Sequence, residues 1–309
     1  MENLPETLYV NLTGVPSPTS EPDSAAKERA KIERYLRLLN QPMHKEEALA
    51  LLNKERRVED MPLLLWNAKN ASFILLQEII SAYKLLSPPL LTMKEATRVC
   101  NSLALLQAMA SHPDTRLPIV KAKLPLYIYP FMNTTEKRTK HFDYLRLTSL
   151  GVIGALVKVE DDNSPEIIHF LLESEVIPLC LRCMEVGSEL AKTVAAFVIS
   201  KMLMYDEGKQ YCGTFPERLY AVANILAKVI DQLPGKPPMQ LLKHILKCFN
   251  HLTEVSRASD ALEKFYPAKL RDPAYLNFAI DEVAVRGLAD QVLQSVIAHR
   301  PASITEMFP

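Results

Sequence analysis

His244, Cys248 and His251 stand at i, i+4 and i+7, one face of a helix, and imidazole and thiolate at that spacing are metal ligands. A closed structural zinc site takes four ligands, and nothing in the sequence indicates a fourth, so core packing is favoured over metal. Cys180-x-x-Cys183 has the spacing of half a zinc or redox motif. It lies in an apolar helical stretch with no second cysteine pair and no nearby histidine, which again favours burial. There is no Walker-type Gly-Lys loop, no G-x-S-x-G elbow, no H-E-x-x-H and no carboxylate pair in a recognisable setting. The residues therefore argue against an enzyme, and no cofactor is indicated.

Basic residues are the remaining chemistry. Arg57, Arg98, Arg146, Lys192, Arg218, Lys243 and Arg257 fall on long helical stretches or at their ends. Converging on a groove, they would bind phosphate or stack on bases, which makes single-stranded nucleic acid a candidate ligand. The competing reading is an ordinary solvated face. With 36 basic and 36 acidic residues the formal net charge is zero, so any basic surface is local and nucleic-acid binding stays the secondary reading.

The elements that must position these residues are helices. Of 309 residues, 48% are hydrophobic and only 8 are glycine, a balance that favours helix over sheet. Helical spacing of apolar residues runs from KIERYLRLLN through ATRVCNSLALLQAMAS to YLNFAIDEVAVRGLADQVLQSVIAH, with no convincing strand. Residues 1–26, rich in Pro, Ser and acids, read as a flexible tail, 27–300 as a single domain, and 301–309 as a flexible end. The N-terminus lacks the basic start and apolar stretch of a secretory signal, and no apolar run is long enough to span a bilayer. An intracellular, non-secreted protein without membrane contact is expected. In that setting the five cysteines are thiols and the Asn11-Leu-Thr13 sequon has no meaning.

Internal similarity narrows the fold. MPLLLW, LPLYIYPF and IPLCLRCM each place a Pro-Leu pair, at Pro62-Leu63, Pro125-Leu126 and Pro178-Leu179, before a short apolar helix. Proline suits a first helical turn, where its missing N–H has no partner to lose. Long helices rich in small residues follow the last two pairs, DYLRLTSLGVIGALVK and ELAKTVAAFVISKMLM. A short helix followed by a long one is the armadillo pattern. The pairs are 63 and 53 residues apart, longer than a repeat of about 40–47, and loops such as NTTEKRTKH and VEDDNSPE take up the excess. The expected fold is an all-α armadillo-repeat superhelical solenoid.

Two glycines inside HFDYLRLTSLGVIGALVK then need a reason, since glycine costs a helix roughly 1 kcal/mol relative to alanine. Tyr144, Thr148, Gly151 and Ala155 form one stripe at helical spacing, while Leu147, Leu150, Ile153 and Val157 form the apolar flank expected in the core. Gly154 would permit close helix packing. Gly151 would leave a shallow depression on a concave, peptide-binding surface, unless it too only packs. The Ala195-Ala196 pair suggests a similar surface on the next long helix.

LLQEI, PPLLT, RVCNSLALLQ, ASHPDTR, LPLYIYPF, DYLRLTSLGVIGALVK, VIPLCLR, GSELAKTVA and LLKHILKC, in this order, closely resemble the Required for Cell Differentiation (Rcd-type) family over roughly residues 28–270. That family is the armadillo-repeat subunit of the Ccr-Not deadenylase complex. The resemblance implies a non-catalytic adaptor of about six repeats. It docks on the Not-type scaffold subunit and accepts peptide motifs of RNA-binding regulators on its concave face, at positions matching Tyr144, Gly151 and Val194. It also implies tryptophan pockets near the C-terminal repeats, with Arg218 and Arg257 at matching positions and Ala261 beside the second. The chain departs from the family at Pro216, which stands where an aromatic tyrosine wall is expected. Cytoplasmic and nuclear residence follows from the same resemblance. An exposed helical face serves self-association as readily as partner docking, so a homodimer stays open.

Overall fold

The structure, a computed structural model, describes residues 22–137, 139–255, 258–279 and 282–298. The sequon, most of the expected tail, Arg257 and the 301–309 segment lie outside these residues. Among the described residues every regular element is helical and no strand occurs, and the fold is all-α of the armadillo-repeat class. None of the described helices is long and apolar enough to cross a membrane. The chain divides into two units, Met1–Asn163 and Ser164–Pro309.

The first unit contains α1 (Pro22–Leu39), α2 (Lys45–Lys54), α3 (Met61–Asn67), α4 (Ala71–Ser81), α5 (Met93–Ser111), α6 (Pro113–Lys121), α7 (Tyr129–Met132) and α8 (Lys140–Lys158). Helix α5 is set by Thr92-x-x-Glu95. The Thr92 hydroxyl accepts from the Glu95 backbone N–H at 3.3 Å, and the Glu95 carboxylate accepts from the Thr92 N–H at 2.9 Å. That backbone bond, the larger cause, holds the Glu95 carboxyl below its ordinary pKa. Helices α2, α3 and α4 pack on α5, which lies along α8. From Leu145 to Val157 α8 is buried except at Gly151, as expected of a helix with packing on nearly every side. Its C-terminal end is fixed by buried Arg116, which donates to the Val159 carbonyl at 2.6 Å and pairs with Asp161.

The second unit contains α9 (Ser164–Glu173), α10 (Val176–Val186), α11 (Glu189–Leu203), α12 (Asp206–Thr214), α13 (Pro216–Asp231), α14 (Met239–Thr253), α15 (Ser259–Phe265), α16 (Ala268–Arg271), α17 (Pro273–Ala279) and α18 (Val283–Ala298). Ser188 caps α11, accepting from the Ala191 N–H at 3.4 Å. Helix α14 packs between α11 and α18. It buries Leu241, Leu242, Ile245, Leu246, Phe249 and Leu252, the helical periodicity visible in MQLLKHILKCFNHL.

Three expectations about local structure change. Helix α1 starts at Pro22, inside the segment read as tail, because proline at a first turn opens a helix as readily as it interrupts one. Pro125 opens a 3-10 turn, Leu124–Ile128, ahead of the four-residue α7, rather than an α-helix. Pro178 sits third in α10, which begins at Val176; the missing N–H still falls among the four amides that a helix leaves unpaired.

Candidate functional site

In α8, Leu147, Leu150, Ile153 and Val157 are all buried, as expected of the apolar flank, and Gly154 is buried with them. The neighbouring stripe is more uneven than its sequence suggests. Tyr144 and Gly151 are half-buried, but Thr148 is only 2% exposed and Ala155 is also covered. The Thr148 hydroxyl donates to the Tyr144 carbonyl at 2.7 Å, a back-bond that turns it into its own helix. Nor is the space over Gly151 empty. A Cβ built there would lie 2.8 Å from Oε1 of Gln107, on α5. Gly151 thus admits the end of a flexible, half-buried amide side chain, and Tyr144, Gln107 and Gly151 together form the accessible part of the stripe.

The basic residues do not converge in the first unit. Arg146 is 1% exposed, and its Nη1 donates to Thr134 Oγ1 at 3.0 Å and the Glu136 carbonyl at 2.8 Å, with Asp143 at 3.6 Å from Nη2. Its assignment as a nucleic-acid contact is corrected: the guanidinium ties the loop before α8 to the helix. A buried cation needs such partners, because desolvation would otherwise cost several kcal/mol. Arg98 also turns inward, its Nε 2.6 Å from buried Glu78, whose other oxygen is 2.5 Å from Lys45 Nζ. Arg57 is exposed in the turn after α2.

In the second unit Val194 and Lys192 are half-buried on α11. Arg218 stands at the start of α13 with its guanidinium 3.9 Å from the Tyr211 ring centre and 5.0 Å from that of Phe215. Its Nη2 donates to Glu175 Oε1 at 2.6 Å, and Glu175 also accepts from the Tyr211 hydroxyl. Burial, and secondly the bond to Glu175, push the Tyr211 phenol above its ordinary pKa. Leu172, Glu173, Glu175, Glu207, Gln210, Tyr211, Thr214 and Arg218 line a cavity of about 290 Å³ here. Pro216 brings no aromatic wall, yet the preceding Phe215 is 52% exposed and presents its ring to the same arginine. Ala261 is buried, so it is covered by its own neighbours rather than lining an open second pocket.

Cys180 and Cys183 are both buried in α10, and burial first, then the neighbouring thiols, pushes the Cys180 thiol well above its usual pKa. The His244–Cys248–His251 face is split. Cys248 is buried with its Sγ donating to the Ala196 carbonyl at 3.5 Å, whereas His244 packs edge-on to Phe197 with ring centres 5.3 Å apart. Among the described residues no group of three His, Cys, Asp or Glu is placed to hold a metal ion.

Sequence reasoning missed three features. Gln107 lies on a different helix from the glycine it covers. Phe197 was read only as part of an apolar helix. On α4, Phe73 is 61% and Ile80 41% exposed, two turns apart on one face. The 3-10 turn Leu124–Ile128 packs beside α4 and exposes Leu126 and Tyr127, and the Tyr83 hydroxyl donates to the Tyr127 carbonyl. The available signal was the length of FILLQEIISAYKLL: its apolar residues exceed what one buried stripe uses.

The sequence pattern described as Cell differentiation family, Rcd1-like, matches residues 35–296. The Cell differentiation protein rcd1 of Schizosaccharomyces pombe is 49% identical over 251 residues, 81% of this chain and 87% of that protein. Protein CAF40 of Saccharomyces cerevisiae is 45% identical over 251 residues, 81% of this chain and 66% of that protein.

Proposed function

Because the chain belongs to the Rcd1-like cell differentiation family, we propose that it is a non-catalytic adaptor subunit of the Ccr-Not messenger-RNA deadenylation complex, working in cytoplasm and nucleus. It docks on the Not-type scaffold and holds peptide motifs of RNA-binding regulators. The observation that carries this reading is the distribution of apolar surface on a helical frame. An exposed aromatic-aliphatic face on α4, Phe73 and Ile80, suits a constitutive helix-helix contact with the scaffold. The smaller Tyr144–Gln107–Gly151 surface, with an aromatic ring beside a low wall, suits one face of an amphipathic peptide with anchors at i, i+3 or i+4, and i+7. Val194 is the matching position in the second unit.

The single-strand alternative is weaker. Arg98, Arg146 and Arg218 are spent on internal partners, Lys243 lies 3.4 Å from Glu282 and Arg257 lies outside the described residues, which leaves Arg57 and Lys192 as its exposed or half-exposed candidates among the described residues.

Two substitutions at one position test the peptide surface. In Gly151→Ala the only obstacle is the Gln107 amide, which can swing away, and the helix gains about 1 kcal/mol of propensity. Its stability should stay within about 1 kcal/mol of wild type. Gly151→Trp should fold as well but fill the surface, and calorimetric titration with a regulator-derived peptide motif should show at least a tenfold loss of affinity. Unchanged binding by the Trp variant would refute the assignment, and its global unfolding would show that Gly151 serves packing alone.

A further inference from the structure

Between α1 and α3 runs a groove of about 590 Å³, away from both the α8 stripe and the exposed α4 face. Its floor is apolar, made by buried Leu36 of α1 and half-buried Leu63 and Leu64 of α3. Its two ends differ in charge. At one end Arg29 Nε donates to Glu33 Oε1 at 3.3 Å, and Asp60 stands just before α3. At the other end α1 and α3 finish side by side, since Asn70 Nδ2 donates to Asn40 Oδ1 at 3.4 Å. The side chains that line this second end include Arg37, Asn67 and Lys69, all exposed. Neither cation has a carboxylate partner among the described residues. We propose that this groove holds residues 4–12 of the same chain, LPETLYVNL, with Leu8, Tyr9 and Leu12 on the leucine floor and Glu6 between Arg37 and Lys69.

Three observations select this occupant. The first is reach. Leu36 lies about 21 Å along α1 from Pro22, where that helix begins, and the nine residues Thr13–Glu21 span up to about 30 Å when extended. A chain turning back at Pro22 therefore brings LYVNL over the leucine floor, and continuing in that direction it carries Glu6 towards the ends of α1 and α3. The second is composition. LYVNL has four apolar residues in five, and residues 1–21 hold three glutamates and no lysine, arginine or histidine. Glu6 is the acid nearest LYVNL, and it meets the end of the groove that has cations and no carboxylate. The third is backbone satisfaction. An extended segment brings peptide groups that need partners, and the Asn67 amide, which has none among the described residues, offers both a donor and an acceptor. Tethering favours the same chain over a free ligand, because a linker this short gives an effective concentration on the order of millimolar.

The test is NMR on the full chain. Backbone order parameters at Leu8, Tyr9, Val10 and Leu12 should lie near about 0.8, the Tyr9 ring should show Overhauser contacts to the methyls of Leu63 or Leu64, and both should be independent of protein concentration. An Arg37→Glu, Lys69→Glu variant, altered at exposed side chains and checked for helix content, should lose the contacts and drop below about 0.6. Adding Glu6→Lys to that variant should restore them. A blocked peptide of residues 4–12 supplies a second reading. It should bind a Leu8→Ser, Tyr9→Ser, Leu12→Ser chain, whose groove is vacated, at least tenfold more tightly than wild type. Mobile residues 8–12 in wild type would overturn the proposal, as would contacts that survive the charge-reversed groove or equal peptide binding by the two chains. Contacts that strengthen with protein concentration would overturn it in favour of the groove of a second copy. None of these failures touches the adaptor reading, which rests on other residues.

Discussion

Gly208→Ala is expected to destabilise the second unit by about 3 kcal/mol or more, lowering the thermal midpoint by roughly 6–12 °C. A Cβ at this position would overlap the backbone carbonyl of Met202, lying 2.7 Å from its carbon and 3.3 Å from the Leu203 Cα. Those atoms belong to the last turn of α11, so no side chain can move aside and the backbone of α12 or α11 must shift. Gly287→Ala is the matched control. It changes an exposed helical glycine with nothing within 4 Å of the added carbon, and it should stabilise by about 0.5–1 kcal/mol. Opposite signs for one chemical change, read by thermal or urea denaturation, would confirm that close backbone approach decides the effect. A neutral Gly208→Ala would show that α12 does not seat on the end of α11 in this way.

Phe73→Asp with Ile80→Asp should weaken binding to the Not-type scaffold subunit by at least 100-fold while leaving the chain folded. Both side chains are exposed in the isolated chain, so replacing them removes little core and leaves stability nearly unchanged. Burying an aromatic and a β-branched side chain contributes about 1.5–3 kcal/mol each, and an unpaired carboxylate in a dry contact adds a further cost. Together these exceed the roughly 2.7 kcal/mol that a 100-fold change in affinity represents. Titration of the purified scaffold subunit would read the difference, and full affinity in the double variant would move the docking face away from α4.

Much of the frame was legible in the sequence because its signals are local. The period in MQLLKHILKCFNHL and the small-residue helices α8 and α11 each depend on residues within a few turns. The site was less legible because its details depend on what crosses from elsewhere. Gly151 reads as a gap, yet Gln107 from α5 fills it. Arg146 reads as a surface cation until the loop carbonyl of Glu136 and the hydroxyl of Thr134 close over it. Phe73 and Ile80 are not distinguished from core by sequence, because a one-dimensional apolar run does not say which of its residues find a neighbour. Gly208 gave no sequence signal: a glycine near a helix start has many explanations, and only the position of Met202 selects one.

The most direct measurement is quantitative mass spectrometry of what co-purifies with the tagged full-length chain from its own cells. The adaptor account predicts the Not-type scaffold and the deadenylase subunits in near-stoichiometric amounts with wild type, and their loss with the Phe73→Asp, Ile80→Asp variant. A folded wild-type chain that retrieves neither would contradict it.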